Sequence, residues 1–149
     1  MSSRFAAKGF TLIEVMITVV IVAILATVAM PAYTAYVTRS KIPEGLDSLN
    51  ALATRLEQFF QDGNNNSYGN AGNTACGVSI PAGLKNFTVS CTLTGVNGAG
   101  FSADAVNSGP LTGYTYRITS TGQRQTVSHP KAATTPIACW SMKGAGCDT

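Results

Sequence analysis

One carboxylate stands alone in the most apolar stretch of this sequence. Glu14 lies within the 21 residues from Phe10 to Met30, which carry no other charge. A carboxylate inside hydrocarbon costs ~3 kcal/mol on insertion scales, so it marks a wet position near headgroups or a partner of opposite charge. The chemistry on offer is an ion pair, and an α-amine created by cleavage of the chain would be the nearest fixed positive charge.

Thiol chemistry is the second candidate. Cys76, Cys91, Cys139 and Cys147 all lie beyond the apolar run. An even number of cysteines in a small exported domain points to disulfides formed outside the cytoplasm, and four cysteines allow three pairings. Zinc would want a Cys-x₂₋₄-Cys knuckle. The gaps here contain 14, 47 and 7 residues, so no metal site is expected. No catalytic constellation emerges, so neither an enzymatic activity nor a cofactor is expected. His129 is the only histidine, has no nucleophile motif near it, and reads as a surface histidine. The glycines from Gly95 to Gly100 lack the strand–loop–helix setting of a phosphate cradle. Asn65-Asn66-Ser67 and Asn86-Phe87-Thr88 match glycosylation acceptors, a triplet that arises by chance in polar loops.

The elements that position these groups fall in two zones. The N-terminal zone is an apolar rod, and the remainder is rich in Gly, Asn, Ser and Thr, as a loop-rich domain with strands would be. Arg4 and Lys8 precede the rod. Without them the 149-residue chain holds 8 Lys and Arg against 7 Asp and Glu, which gives no general case for nucleic-acid binding. A cleaved secretory signal should show an Ala-x-Ala pattern just after its apolar core, and none appears between Ala23 and Tyr36. At 1.5 Å per residue, 21 helical residues span a bilayer of roughly 30 Å. A membrane anchor with a cytoplasmic N-terminus is therefore expected.

The string Lys8-Gly9-Phe10-Thr11-Leu12-Ile13-Glu14-Val15 resembles the processing site of type IV prepilins, the class III signal peptides. The likeness continues through the apolar helix, Pro31, the Tyr33/Tyr36 pair and the basic cluster Arg39-Ser40-Lys41. The resemblance implies that a prepilin peptidase cuts between Gly9 and Phe10 and methylates the new amine of Phe10. It also implies that Glu14 serves assembly by meeting the Phe10 amine of a neighbouring subunit. Physical reasons accompany each role. Gly9 has no side chain, so a protease can approach the backbone closely. A buried charge without a partner costs ~3–5 kcal/mol, so amine and carboxylate each need the other.

Beyond the anchor, Leu46, Leu49, Ala53, Leu56 and Phe60 follow a 3-4-3-4 spacing, one apolar face of a helix. Gly63 and the asparagines after it stop the helix, which is expected from about Thr11 to Asp62. Pro31 and Pro43 each remove a helical hydrogen bond and are expected to bend it. Ala23, Ala26, Ala29, Ala32 and Ala35 spiral around the helix and permit close packing. Alternating segments at 86–94, 101–106, 114–120 and 123–129 read as strands, with a hairpin turn at Thr121-Gly122. The expected fold class is thus α+β, a long N-terminal α-helix packed on a small antiparallel sheet head, as in the type IV pilin fold. The expected division is a leader at 1–9, a transmembrane and assembly helix at 10–30, an amphipathic continuation at 31–62, and at 63–149 a loop, the sheet and a C-terminal disulfide loop.

Cys139-Trp140-Ser141-Met142-Lys143-Gly144-Ala145-Gly146-Cys147 resembles the minor-pilin subgroup, as does Ala75-Cys76-Gly77 leading to Phe87 and Cys91. The expected pairing is Cys76–Cys91 and Cys139–Cys147, the second closed by three small residues. A bridge from Cys76 or Cys91 to Cys139 is the runner-up. The expected function is a structural subunit of a type IV pilus, serving adhesion, twitching motility or DNA uptake. Its expected partners are other pilin subunits, prepilin peptidase, the inner-membrane assembly machinery and, before assembly, the membrane. The expected location is the inner membrane first and the extracellular filament afterwards. A pseudopilin of a type II secretion system shares this N-terminus, but its major form usually carries late acidic calcium ligands. Only Asp104 and Asp148 follow Asp62 here. DNA as a partner would need a basic stripe on the head, for which Arg117, Arg124 and Lys131 are the candidates.

Overall fold

The computed structural model describes residues 9–63, 66–109 and 111–148. One helix, α1, runs from Leu12 to Gln61, and the chain divides into a unit ending at Val37 and a unit beginning at Thr38. In the first unit Thr11 caps the helix, its hydroxyl accepting the Glu14 N–H at 3.3 Å. The helix continues without interruption through Pro31. Apolar side chains lie exposed on every side of it, from Phe10 at 83% to Tyr36 at 71%. The threonines do not break this apolar surface. Thr18, Thr27 and Thr34 each donate their hydroxyl to the carbonyl three residues back, at 2.7 to 3.0 Å. With these hydroxyl donors satisfied inside the helix, the threonines ask nothing polar of their surroundings, and Glu14 is left as the one charge on this surface.

In the second unit α1 passes through Pro43 and buries Ile42, Gly45, Leu49, Leu52 and Leu56. The 3-4-3-4 period expected from the sequence is present, but its face is turned. Leu46, Ala53 and Phe60 flank the core as partly buried residues, while Ile42, Gly45 and Leu52 stand at its centre. Gly45 explains the shift. A Cβ there would lie 2.8 Å from Cγ of Phe87, so only glycine lets that ring rest on the helix.

The sheet is a four-stranded antiparallel meander in the order β1 (Phe87–Thr94), β2 (Gly100–Asn107), β3 (Thr115–Thr119) and β4 (Arg124–Ser128). Its inner face, with Phe87, Val89, Phe101, Ala103, Ala105, Tyr116 and Ile118, packs on the helix and forms one core. The opposite face carries Ser90, Asp104 and Arg117 in register across three strands. The β3–β4 hairpin closes where expected, Gly122 (φ +75°) donating to the Thr119 carbonyl at 2.9 Å. Segments outside the sheet are stapled to it. Cys76 is disulfide-bonded to Cys91 on β1, and Cys139 to Cys147 at the C-terminal end. Ile137 exchanges two backbone hydrogen bonds with Thr126, covering the outer edge of β4.

Candidate functional site

The N-terminal candidates lie together at the start of α1. Gly9 is exposed, nothing stands within 4 Å of where a Cβ would be, and its φ is not in the left-handed region. Neither crowding nor backbone conformation calls for glycine there, so the fold gives no reason for it. Phe10 follows, and Glu14 sits one turn on with its side chain exposed on the apolar rod. Neither salt bridge among the described residues involves Glu14. Arg4 and Lys8 of the expected leader lie outside the described residues. Glu14 is in the first helical turn, where free N–H groups and the helix dipole favour a negative charge. An amine brought to this end would complete the pairing without displacing an internal bond.

In the head, the other candidates are engaged by structure. Arg117 makes a two-pronged contact with Asp104 at 2.6 and 2.8 Å. The Asp104 carboxylate beside it raises the Arg117 guanidinium above its ordinary pKa. Arg124 lies over the Trp140 ring, 4.7 Å from its centre. Of the three cations considered for DNA, only exposed Lys131 is left with neither an ion pair nor a ring contact of its side chain. Asp148 accepts the N–H groups of Met142 and Lys143 and closes the C-terminal loop. No group of three His, Cys, Asp or Glu able to hold a metal exists among the described residues.

His129 is a correction to the sequence reading. It is only 6% exposed, packs edge-on against Tyr114 with ring centres 4.8 Å apart, and accepts the Lys131 N–H on Nδ1 at 3.1 Å. Its Nε2 then carries the proton and donates to the Met142 carbonyl at 3.3 Å. The ring joins the end of β4 to the C-terminal loop. The acceptor triplet at Asn86 is also occupied, since its amide nitrogen donates to Glu44. Asn65 of the other triplet lies outside the described residues.

Glu44 itself was missed by the sequence reading. Its carboxylate accepts the backbone N–H of Lys85 at 2.6 Å and of Asn86 at 3.2 Å, as well as the Asn86 side chain. These bonds, the Asn86 side chain foremost, hold its pKa below the ordinary value. The carboxylate clips the loop before β1 to the helix. Nothing in the local sequence signals it, because the partners lie 41 and 42 residues away.

The family described as the prokaryotic N-terminal methylation motif matches residues 4–30, which include Gly9, Phe10 and Glu14. The type IV major fimbrial protein FimA of Dichelobacter nodosus is 48% identical over 71 residues, 48% of this chain and 43% of that protein. Over about half its length the chain is thus similar to type IV fimbrial proteins. A second relative, the type IV major fimbrial protein FimA of Dichelobacter nodosus strain VCS1703A, is 44% identical over 75 residues, covering 47% of this chain and 46% of its own. The match thus spans less than half the length of these curated relatives. A solved type IV pilin from Shewanella oneidensis is 21% identical, covers 64% of this chain and 89% of that one, and has a TM-score of 0.39.

Proposed function

We propose that this chain is a structural subunit of a type IV pilus. Residues 1–9 act as a leader that prepilin peptidase removes between Gly9 and Phe10, and Phe10 becomes the N-methylated terminus. Residues 10–30 hold the precursor in the inner membrane. The inner-membrane assembly machinery then transfers the subunit to the surface filament, where the same residues pack on neighbouring copies. Glu14 sets axial register by pairing with the Phe10 amine of a neighbour. The observation that carries this reading is the apolar surface of α1, interrupted by one carboxylate in the first helical turn beside an unconstrained Gly–Phe bond. An anchor alone would need no carboxylate.

Intact mass spectrometry of sheared filaments tests the reading. A chain beginning at Phe10, one methyl group heavier, is expected. A chain beginning at Met1, or beyond Met30, refutes it.

The C-terminal Cys139–Cys147 segment supports the finer reading of a minor subunit, whereas the FimA relatives are named as major fimbrial proteins. Immunogold labelling separates these: labels all along a filament mean the major subunit, and sparse or terminal labels mean a minor one.

A further inference from the structure

The only histidine of the chain is held at both ring nitrogens by main-chain groups, and the two holds differ in chemistry. A backbone N–H can only donate, so the 3.1 Å contact from Lys131 makes Nδ1 of His129 an acceptor without a proton. Nε2 donates to the Met142 carbonyl. The two partners stand on different segments. Lys131 belongs to the stretch between β4 and Ile137, and Met142 to the C-terminal loop closed by the Cys139–Cys147 bridge. A groove of about 420 Å³ separates the two, with Lys131, Ala133 and Thr134 on one wall and Gly144, Ala145 and Gly146 on the other.

The segments differ in what else fastens them. The C-terminal loop has its disulfide, the Tyr116 hydroxyl on the Ser141 carbonyl, and the Trp140 bond to the Arg117 carbonyl. The stretch from 130 to 136 is fixed chiefly at its ends. At one end the Ala132 N–H meets the His129 carbonyl at 3.1 Å, and at the other Ile137 exchanges two bonds with Thr126. Among the described residues, His129 is the only side chain hydrogen-bonded to that stretch.

A proton taken up by the ring breaks one hold and spares the other. An imidazolium has an N–H on both nitrogens and no acceptor, so Nε2 keeps its bond while Nδ1 sets a second N–H against that of Lys131. The ring has little room to turn away. It is buried, Tyr114 packs edge-on against it, and a Cβ on Gly144 would strike it beside Nδ1. The titratable groups on the elements around it are Tyr114 before β3, Lys131 on the stretch itself, and Lys143 and Asp148 on the C-terminal loop. The two lysines oppose a positive ring. Asp148 favours one, but its carboxylate is already taken by the Met142 and Lys143 N–H groups and lies 3.7 Å from the Lys143 ammonium. We infer that a proton on His129 releases residues 130–136 and widens the groove while the C-terminal loop stays in place. The release is absent with a neutral ring and grows as pH falls through the imidazole range. It concerns the head alone and does not depend on the pilus reading.

Hydrogen exchange of the full chain in detergent, corrected for the pH dependence of the intrinsic rate, tests this together with the ring-nitrogen NMR signals, which belong to one histidine. At about pH 7 the ring is expected to carry its proton on Nε2 alone. At about pH 5 it is expected to carry two, with the amides of 131–135 about tenfold less protected and those of 139–147 unchanged. His129→Asn puts a non-titrating oxygen near the place of Nδ1, and its 131–135 amides are expected to be protected alike at both pH values. A ring still neutral at the lower pH overturns the inference, as does a doubly protonated ring with 131–135 still protected. Loss of protection that persists in His129→Asn on acidification, or that Asp148→Asn alone abolishes, places the titrating group elsewhere and overturns it. Loosening of 139–147 with 131–135 intact overturns the assignment of the released segment.

Discussion

Gly45 is where one methyl group has the largest expected effect. Its missing Cβ leaves the space in which the Phe87 ring lies, and an alanine Cβ would come within 2.8 to 3.0 Å of three ring atoms. Phe87 is almost fully buried and cannot swing outward without opening the core. Gly45→Ala is therefore expected to destabilise the head by ~1–3 kcal/mol despite the higher helix propensity of alanine, a loss that denaturant unfolding reads directly. An unchanged midpoint would show that the ring moves freely. Glu44, one residue earlier, sets a pH dependence. Its folded pKa is depressed below 4.5, so its contribution is present above that value and is lost as pH falls through the folded pKa. Unfolding midpoints of the head are expected to decline on acidification below 4.5, and Glu44→Gln is expected to flatten that decline. At the other end of the helix, Glu14→Val removes a carboxylate that no described residue neutralises. The variant is expected to insert and be cleaved but to be absent from filaments when mixed with wild-type subunits. Equal incorporation of the two chains would remove the pairing role.

Among the elements, the C-terminal segment has the most informative fastening. It is held to the sheet by side chains from three directions. Tyr116 donates its buried hydroxyl to the Ser141 carbonyl, Trp140 donates to the Arg117 carbonyl, and Thr126 donates to the Cys139 carbonyl. Burial raises the Tyr116 phenol further above its ordinary pKa, which keeps it a donor at any physiological pH. The Cys139–Cys147 bridge adds a closed loop with a sequence separation of 8, worth ~2–3 kcal/mol in the chain-entropy description. Because the hydrogen bonds do not depend on it, Cys139→Ser with Cys147→Ser is expected to lower stability by about that amount while leaving Trp140 in place. Trp140 is the only tryptophan and is 5% exposed, so its emission should stay blue-shifted until the head unfolds. A red-shifted spectrum under native conditions would show that the bridge alone holds the segment.

At the scale of the whole molecule, every buried apolar residue of the core, from Ile42 to Trp140, lies in the unit that begins at Thr38. Among the described residues, the unit ending at Val37 adds no buried apolar side chain to it. A truncated chain beginning at Thr38 is therefore expected to fold in water as a monomer with both disulfides formed. Circular dichroism and non-reducing peptide mapping check this. A molten or aggregated product, or a peptide joining residue 76 or 91 to 139 or 147, would contradict it. The same division explains what could be read in advance. The N-terminal segment was legible because its physics is local: length against bilayer thickness and one charge among apolar residues, with the Gly9-Phe10 site added by the resemblance to type IV prepilins. Helix and strand boundaries were legible to about a residue, because side-chain periods of 3.6 and 2 are also local. The helix is Leu12–Gln61 where about Thr11 to Asp62 was expected, and β1 begins at Phe87 where 86 was expected.

Periodicity fixes that a helix has an apolar face but leaves its azimuth open by one position. The choice of Ile42, Gly45 and Leu52 over Leu46, Ala53 and Phe60 was decided by Phe87 descending onto Gly45 from a strand 42 residues away. His129 looked like a surface histidine because no neighbour in sequence could bury it. Its lid is the loop around Met142 and Gly144, and a Cβ on Gly144 would strike its ring. Glu44 looked like ordinary helix polarity until the loop at Lys85 and Asn86 was laid across it. In each case the deciding force is a contact or hydrogen bond between residues remote in the chain, whose favourable energy exists only once the backbone has closed the distance. The sequence by itself determined the apolar N-terminal segment, its lone carboxylate and the order of elements. Only the tertiary structure decided which helix face is inside and which polar groups hold the head together.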